Sequence, residues 1–403
     1  MATNSSKKSF LIMIAVAGIV ISGTIVISLI ARGYQLNFKN GPILSPTGLI
    51  SATSKPKSAS VYINSRLFTA TDDTINLPPG DYDIRIAKDG YLPWEKTIKV
   101  KNETVYQTDA DLFRSVPDLR PISLSGAINP VVSPDNSKII YAVATASATR
   151  DDGLYLYENN NNALPLIKNS PQQLSQNVNG IDWSKAQYQF SPNSQQVLAT
   201  FKATNTHYLI DLNQPVNSKQ FYDITAQLPI IFEEWDKQKS DLIATRLAHV
   251  PKELVPFVST ASAQDLLLSN SPGYDLVFYL ATADGQLKTD IISPPPAQST
   301  QKQERLIKKN NYYVYDIKDD TNFIIGSPAQ MTNISWLPNA NDLIFVQNNE
   351  IMAIEYDGTN KQKLFGGTFD PTIVASTTDG NQLLTLTSAY PGAPLNIYAI
   401  TIK

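Results

Sequence analysis

The segments NPVVSPDNSKIIYAV at 129–143, YQFSPNSQQVLATFK at 188–202, LLLSNSPGYDLVFYLA at 266–281 and ISWLPNANDLIFVQN at 334–348 follow one plan. Each runs from an apolar strand through a Ser/Pro/Asn turn into a second apolar strand. VASTTDGNQLLTLT at 374–387 reads as a further, degenerate copy. The stretches LYLYENNNN at 154–162, HYLIDLNQPVN at 207–217, YVYDIKDD at 313–320 and EIMAIEYDGTN at 350–360 supply a third strand that runs into a polar hairpin. Pro134, Pro192, Pro272 and Pro338 mark the turns at spacings of 58, 80 and 66 residues, so the repeat carries insertions.

This pattern resembles the β-propellers of the Tol-associated periplasmic protein (TolB-like) and WD-repeat families, whose blades carry a Ser-Pro-Asp-Gly turn. Ser133-Pro134-Asp135-Asn136 is the nearest copy. At about 40–45 residues per blade, the region 117–403 divides into roughly six blades, and five to seven fit. The resemblance implies a fold and not an activity. Pro294-Pro295-Pro296 and the residues after it read as an exposed loop, and Asn159–Asn162 as a hairpin tip. Helical signal is scarce, with PKELVPFVSTASAQDLLL at 251–268 ambiguous and broken by Pro256.

Upstream, FLIMIAVAGIVISGTIVISLI from Phe10 to Ile30 holds 21 residues without a charge. As a helix it spans the roughly 30 Å hydrocarbon core. Ser22, Thr24 and Ser28 are too mild to form the polar stripe of a soluble helix. The apolar run exceeds that of a cleaved signal peptide, and Leu29 two residues before Ala31 fits a cleavage site poorly. The expected order is a short cytoplasmic tail at 1–9, a transmembrane helix at 10–31 and a polar linker at 32–46. Lys7 and Lys8 are opposed by Arg32 and Lys39, so charge alone orients the helix weakly. A signal anchor places all that follows outside the cytoplasm. Ala15, Gly18 and Ser22 have small-xxx-small spacing but read as ordinary residues of a single span.

Between linker and repeats, LISAT at 49–53, SVYIN at 60–64, TINL at 74–77, DYDIRIAK at 81–88 and EKTIKV at 95–100 are short and β-rich. Tyr82, Ile84 and Ile86 alternate with Asp83, Arg85 and Ala87, a strand with one wet face. Together they predict a small antiparallel sandwich at 47–116. Ala52 to Tyr91 resembles the PEGA domain, a small β-module named for a Pro-Glu-Gly-Ala turn. Here that turn is Pro56-Lys57-Ser58-Ala59. Leu77-Pro78-Pro79-Gly80-Asp81-Tyr82 is similar to the family's Pro-Gly hairpin and Lys88-Asp89-Gly90-Tyr91 to its closing Gly-Tyr. Ser65 replaces the family's usual glycine, and its Thr-Pro is absent at Ala70-Thr71-Asp72. Gly80 and Gly90 are expected at positive φ. The resemblance implies a non-catalytic binding or spacer module.

The 403 residues contain no cysteine, which excludes disulfides, thiolate nucleophiles and cysteine metal sites. Charged residues are 17%, and 33 Lys plus Arg stand against 36 Asp plus Glu, so there is no global field to attract nucleic acid. Gly-rich phosphate loops and a G-x-S-x-G elbow are missing. His207 and His249, the two histidines, read as structural. The doublets Asp72-Asp73, Asp151-Asp152, Glu233-Glu234 and Asp319-Asp320 read as solvated turns, and neighbours on a strand point to opposite faces. Asp109 and Asp111 share a strand face but lack an EF-hand continuation. Trp183 and Trp336 read as core, while Trp235, Tyr312, Tyr313 and Tyr315 are candidates for stacking on a sugar or peptide.

No catalytic, cofactor or metal residue is assigned, and the binding residues are left unknown. The sequence points to a mainly β, membrane-anchored, extracytoplasmic scaffold presenting a propeller to a protein or glycan partner of the cell envelope. An extracytoplasmic hydrolase acting on cell-wall glycan or peptide through convergent carboxylates is the alternative.

Overall fold

The computed structural model describes residues 3–31, 34–37, 43–145, 151–159, 170–177, 180–214, 221–269, 275–288 and 301–403. The Pro294–Pro296 loop and Asn160–Asn162 lie outside them. Two compact units emerge, one from the described parts of 1–88 and 93–112, the other from 89–92 and the described residues from 113 onward.

The first unit begins with α1, Thr3–Ala31. The segment Ile12–Leu29 has a mean hydropathy of 2.5 and none of it is buried, so it is long and apolar enough to cross a membrane. Two strands lie within the expected linker at 32–46. Tyr34–Asn37 and Ile43–Pro46 pair antiparallel, because the breaks at Asn40-Gly41-Pro42 lie between two strand-compatible runs.

The module that follows has a four-stranded antiparallel sheet in the order Arg66–Ala70, Ser60–Ile63, Gly80–Ala87, Trp94–Val100. Trp94, Ile98 and Val100 alternate with exposed residues and are buried, as are Ile50, Ile75 and Ile84. The expectation of a purely antiparallel sandwich is corrected. Val105–Gln107 runs parallel to Gly48–Ala52, and Ala110–Asp111 parallel to Ser54–Lys55, because the chain crosses over before it returns. Gly90 has φ +82°, whereas Gly80 is not in the left-handed region and opens a strand, the turn before it being set by Pro78 and Pro79.

The second unit is a β-propeller of five described sheets of three or four strands, within the expected range and one fewer than its central value, beside a two-stranded ladder of Gly285–Gln286 and Leu306–Ile307. Sheet I is Ile128–Val132, Lys138–Val143, Gly153–Glu158 and Gln172–Gln176. Sheet II has three strands, Gln187–Phe190, Gln196–Phe201 and Thr206–Asp211. Sheet III is Leu266–Leu268, Leu276–Leu280, Tyr312–Asp316 and Thr321–Gly326. Sheet IV is Thr332–Trp336, Asp342–Gln347, Glu350–Glu355 and Gln362–Gly366. Sheet V is Phe369–Ser376, Gln382–Thr387 and Asn396–Thr401, completed by Asp118–Pro121 from before sheet I. The first strand of sheet I lies beside those of sheets II and V, and that of sheet IV beside those of sheets III and V.

The repeated turn is a latch. The Ser133 hydroxyl accepts from Lys138 N–H at 2.9 Å and donates to Asp135 at 2.6 Å. Ser191 makes the same pair with Gln196 and Asn193, and Thr377 with Gln382 and Asp379. In sheet III the hydroxyl belongs to Ser269, reached by Leu276 N–H. Short Ser, Thr, Asn and Asp side chains do this because they reach backbone within a few residues.

Sheets are also stapled to their neighbours. Asn129, at φ 49°, donates from Nδ2 to Ala186 O at 2.8 Å, and Asn333, at φ 51°, to Val374 O at 3.4 Å. Asn159 is buried, not a hairpin tip, and its Nδ2 donates to Ser376 O at 2.8 Å. Apolar cores join sheets V and I, I and II, III and IV, and IV and V directly.

Candidate interaction surface

Sheets II and III are joined differently. Between them the chain forms α2, Leu228–Leu247, which the sequence reading did not anticipate. The ambiguous stretch 251–268 forms instead two short 3-10 turns, Val255–Phe257 and Ala263–Asp265, leading into the first strand of sheet III. Pro229 in the first turn suits a helix start, where its missing N–H costs nothing.

On one side of α2, Ile231 and Trp235 pack with Leu198, Ile224 and Leu209 of the sheet II region, and Trp235 Nε1 donates to Gln196 Oε1 at 3.3 Å. On the other, Leu247 joins Val250, Leu254 and Val258 against Leu266, Val277 and Tyr279 of sheet III. Arg246 donates to the carbonyls of Ala263 and Leu266, and Lys239 to Ala261 O at 2.8 Å. The helix is a wedge between two sheets.

Away from the buried Ile231 and Trp235, the helix exposes Ile230 beside Glu233, Glu234 and Lys237. Tyr222 is 67% exposed, Ile230 69% and Phe232 40%, side chains that ordinarily seek cover. From Phe221 to Asp236 the chain has Asp223, Glu233, Glu234 and Asp236, and Lys237 and Lys239 follow on the same helix. The Thr225 hydroxyl and amide hold the Asp223 carboxyl below the usual carboxylate range, so it stays ionised. Glu233-Glu234 therefore lies on a helix, not in a turn.

The other candidates are dispersed. His207 lies in the third strand of sheet II with Nδ1 3.1 Å from the Thr225 hydroxyl, and exposed His249 follows α2 with Nδ1 3.0 Å from Thr245 O. Asp72 pairs with Lys57 at 3.1 Å, and Asp73 accepts from Thr69. Asp151-Asp152 precedes the third strand of sheet I. Asp320 is not solvated but 4% exposed. Asp109 and Asp111 do not share a regular face. Asp109 sits at φ 43° between two strands, breaking the alternation, and Asp111 is buried. Trp183, Trp235, Trp336, Tyr313 and Tyr315 are buried, and Tyr312 half-buried, so the stacking candidates serve the core. Among the described residues no group of three or more His, Asp or Glu is placed to hold a metal ion.

Asp316, 7% exposed at the end of the third strand of sheet III, has its acidity strongly displaced. Burial, with Asp319 and Asp275 nearby, pushes it up to about 6 against the amides of Asp319 and Lys318. The folded protein thus binds this proton more tightly than the unfolded chain. Its presence costs nothing below about pH 4, costs progressively more between about 4 and 6, and costs a constant amount above. Asp316→Asn keeps an oxygen for the Asp319 N–H and is expected to stabilise by up to about 3 kcal/mol at pH 7.5 and not at pH 4. Urea titrations of both proteins at the two pH values check this, and an equal difference at both refutes it.

Comparisons with known proteins agree in part with the sequence reading. The PEGA domain matches residues 47–115. No curated protein matches the chain. Among solved structures, a putative TolB from Agrobacterium tumefaciens is 12% identical with a TM-score of 0.21, covering 68% of this chain and 78% of that one. TolB from Acinetobacter baumannii is 13% identical with a TM-score of 0.19, and the overlap covers 80% of this chain but only 60% of TolB. U3-55K is 9% identical with a TM-score of 0.28, covering 70% and 98%. The superpositions are loose, and the propeller assignment rests on the strand pairing and cores above.

Proposed function

We propose that this chain is a membrane-tethered binding protein of the cell envelope, with α1 in the bilayer and both units outside the cytoplasm. The exposed side of α2 around Ile230 engages a protein partner. The observation that carries the reading is the 69% exposure of Ile230, flanked by Glu233 and Glu234, on the wedge between sheets II and III. An exposed apolar side chain flanked by two carboxylates suits a protein surface with an apolar pocket and nearby Lys or Arg, whose charge speeds encounter and fixes register.

A photocrosslinking amino acid at Ile230 in intact cells is expected to trap one discrete partner. The product should fall at least tenfold when Glu233 and Glu234 are both changed to Lys, and be absent when the probe sits at exposed Ala329. Equal products from positions 230 and 329 refute the reading.

A further inference from the structure

We infer that the first unit is strapped down onto the lipid headgroups through one pole of its β-module and does not swing on a flexible stalk. The inference rests on the reading of α1 as a membrane span.

Only residues 32 and 33 separate the end of α1, at Ala31, from the strand that begins at Tyr34. That strand pairs with Ile43–Pro46, so Tyr34 lies opposite Pro46, where the chain enters the module. A free chain spanning 32–46 would wander by roughly 20 Å. Here both strands of the hairpin are held at the same place. Pro46 leads into Thr47, whose carbonyl accepts from Glu103 N–H at 3.1 Å, and Leu49 N–H donates to Thr104 O at 2.9 Å. Gly48 lies so close that a Cβ would fall 2.3 Å from the Lys101 carbonyl oxygen. Independently, the Tyr34 hydroxyl donates to Glu103 Oε1 at 2.9 Å. The turn 101–104 therefore grips the hairpin through both Tyr34 and the chain at 47–49.

The pairs Gly48–Leu77 and Gly80–Val100 gather 77–80 and 99–105 at the pole beside the hairpin. Its exposed residues include Pro78, Pro79, Lys99, Lys101, Asn102, Val105 and Glu103, whose carboxylate is engaged by Tyr34. The occupant that fits is the phospholipid surface that α1 already crosses. Lys99 and Lys101 suit phosphates, Val105 and Tyr34 suit the interfacial zone, and two residues after α1 leave no room for a water-filled gap. The opposite pole, where Lys88 Nζ donates to Lys57 O at 2.5 Å, lies about 25 Å away along the eight-residue strand Gly80–Ala87.

Because the chain has no cysteine, a single Cys at Asn102 or at Lys57 gives a unique fluorophore site on the full-length protein. In phosphatidylcholine–phosphatidylglycerol vesicles carrying a headgroup-attached quencher, quenching at 102 is expected to exceed that at 57 at least threefold. Tyr34→Phe is expected to reduce that ratio at least twofold. Equal quenching at the two sites overturns the docked pole, and a ratio unchanged by Tyr34→Phe overturns the strap. Alkaline extraction separates this from the spanning reading. Protein washed from the vesicles refutes the span, whereas protein retained with equal quenching refutes the strap and docked pole alone.

Discussion

Replacing Trp235 with alanine is expected to destabilise the second unit by about 3–5 kcal/mol. Trp235 is 4% exposed and packs with Leu198 of sheet II and Ile231 of its own helix, so truncation opens a large cavity on the sheet II side of the wedge. It also removes the hydrogen bond to Gln196. For a unit of this size the midpoint of thermal unfolding should fall by on the order of 10 °C. Phe232→Ala, at a side chain 40% exposed on the same helix, should cost less than about 1 kcal/mol. Thermal melts by circular dichroism measure both. A Trp235→Ala midpoint within a degree or two of the parent would mean that the sheets meet without the wedge.

Removing the guanidinium of Arg305 is expected to be as severe, by a different mechanism. Arg305 Nη1 donates to Asp320 Oδ1 at 3.0 Å and Nη2 to the Asp320 carbonyl, with side chains 16% and 4% exposed. The Tyr315 hydroxyl, pushed up in pKa by burial and so held protonated, donates to the same carboxylate oxygen at 2.6 Å. Nearby, Asn322 Nδ2 donates to Glu304 O while its oxygen accepts from Tyr279. This knot pins the chain as it returns from the excursion between the second and third strands of sheet III. Arg305→Ala leaves a buried carboxylate without this cation, at a cost of about 3–5 kcal/mol. The double variant Arg305→Met with Asp320→Asn should recover most of that loss, since a neutral pair has no charge to solvate. Denaturant titration of the three proteins tests this, and a double variant no better than the single would place the loss in packing and not in charge.

The reading of the sequence succeeded where local chemistry is self-sufficient. The Ser-Pro-Asp-Asn stretch at 133–136 and its relatives were legible because a hydroxyl, a proline and a short amide or carboxylate define a turn without distant help. Blade number was less legible, because the α2 insertion and the excursion at 281–311 lengthen the intervals between turns. The helix itself was missed for a physical reason. Only Ile231, Trp235 and Ile243 are buried along its 20 residues, too sparse for a helical stripe, and no side chain caps its start. Strand Arg66–Ala70 was missed because Leu67 and Phe68 are both exposed, which erases alternation. The parallel pairs at 105–107 and 110–111 depend on register, which local pattern does not encode. The interaction surface was invisible for the same reason as the helix. Tyr222, Ile230 and Phe232 look like core in sequence, and only the fold leaves them outside.

The outer strand of sheet V, Asp118–Pro121, precedes every other strand of the ring, while the strand it pairs with, Asn396–Thr401, follows them all. On a ribosome the early edge must wait for the late one. Sheets I to IV can each form from contiguous chain as it emerges, but the circle stays unlatched through most of synthesis. During that interval the apolar faces of sheets I and V that later meet at Ile139, Tyr141, Leu384 and Ala399 have no cover. A chain crossing a membrane in extended form would keep those faces apart until the last strand had passed through.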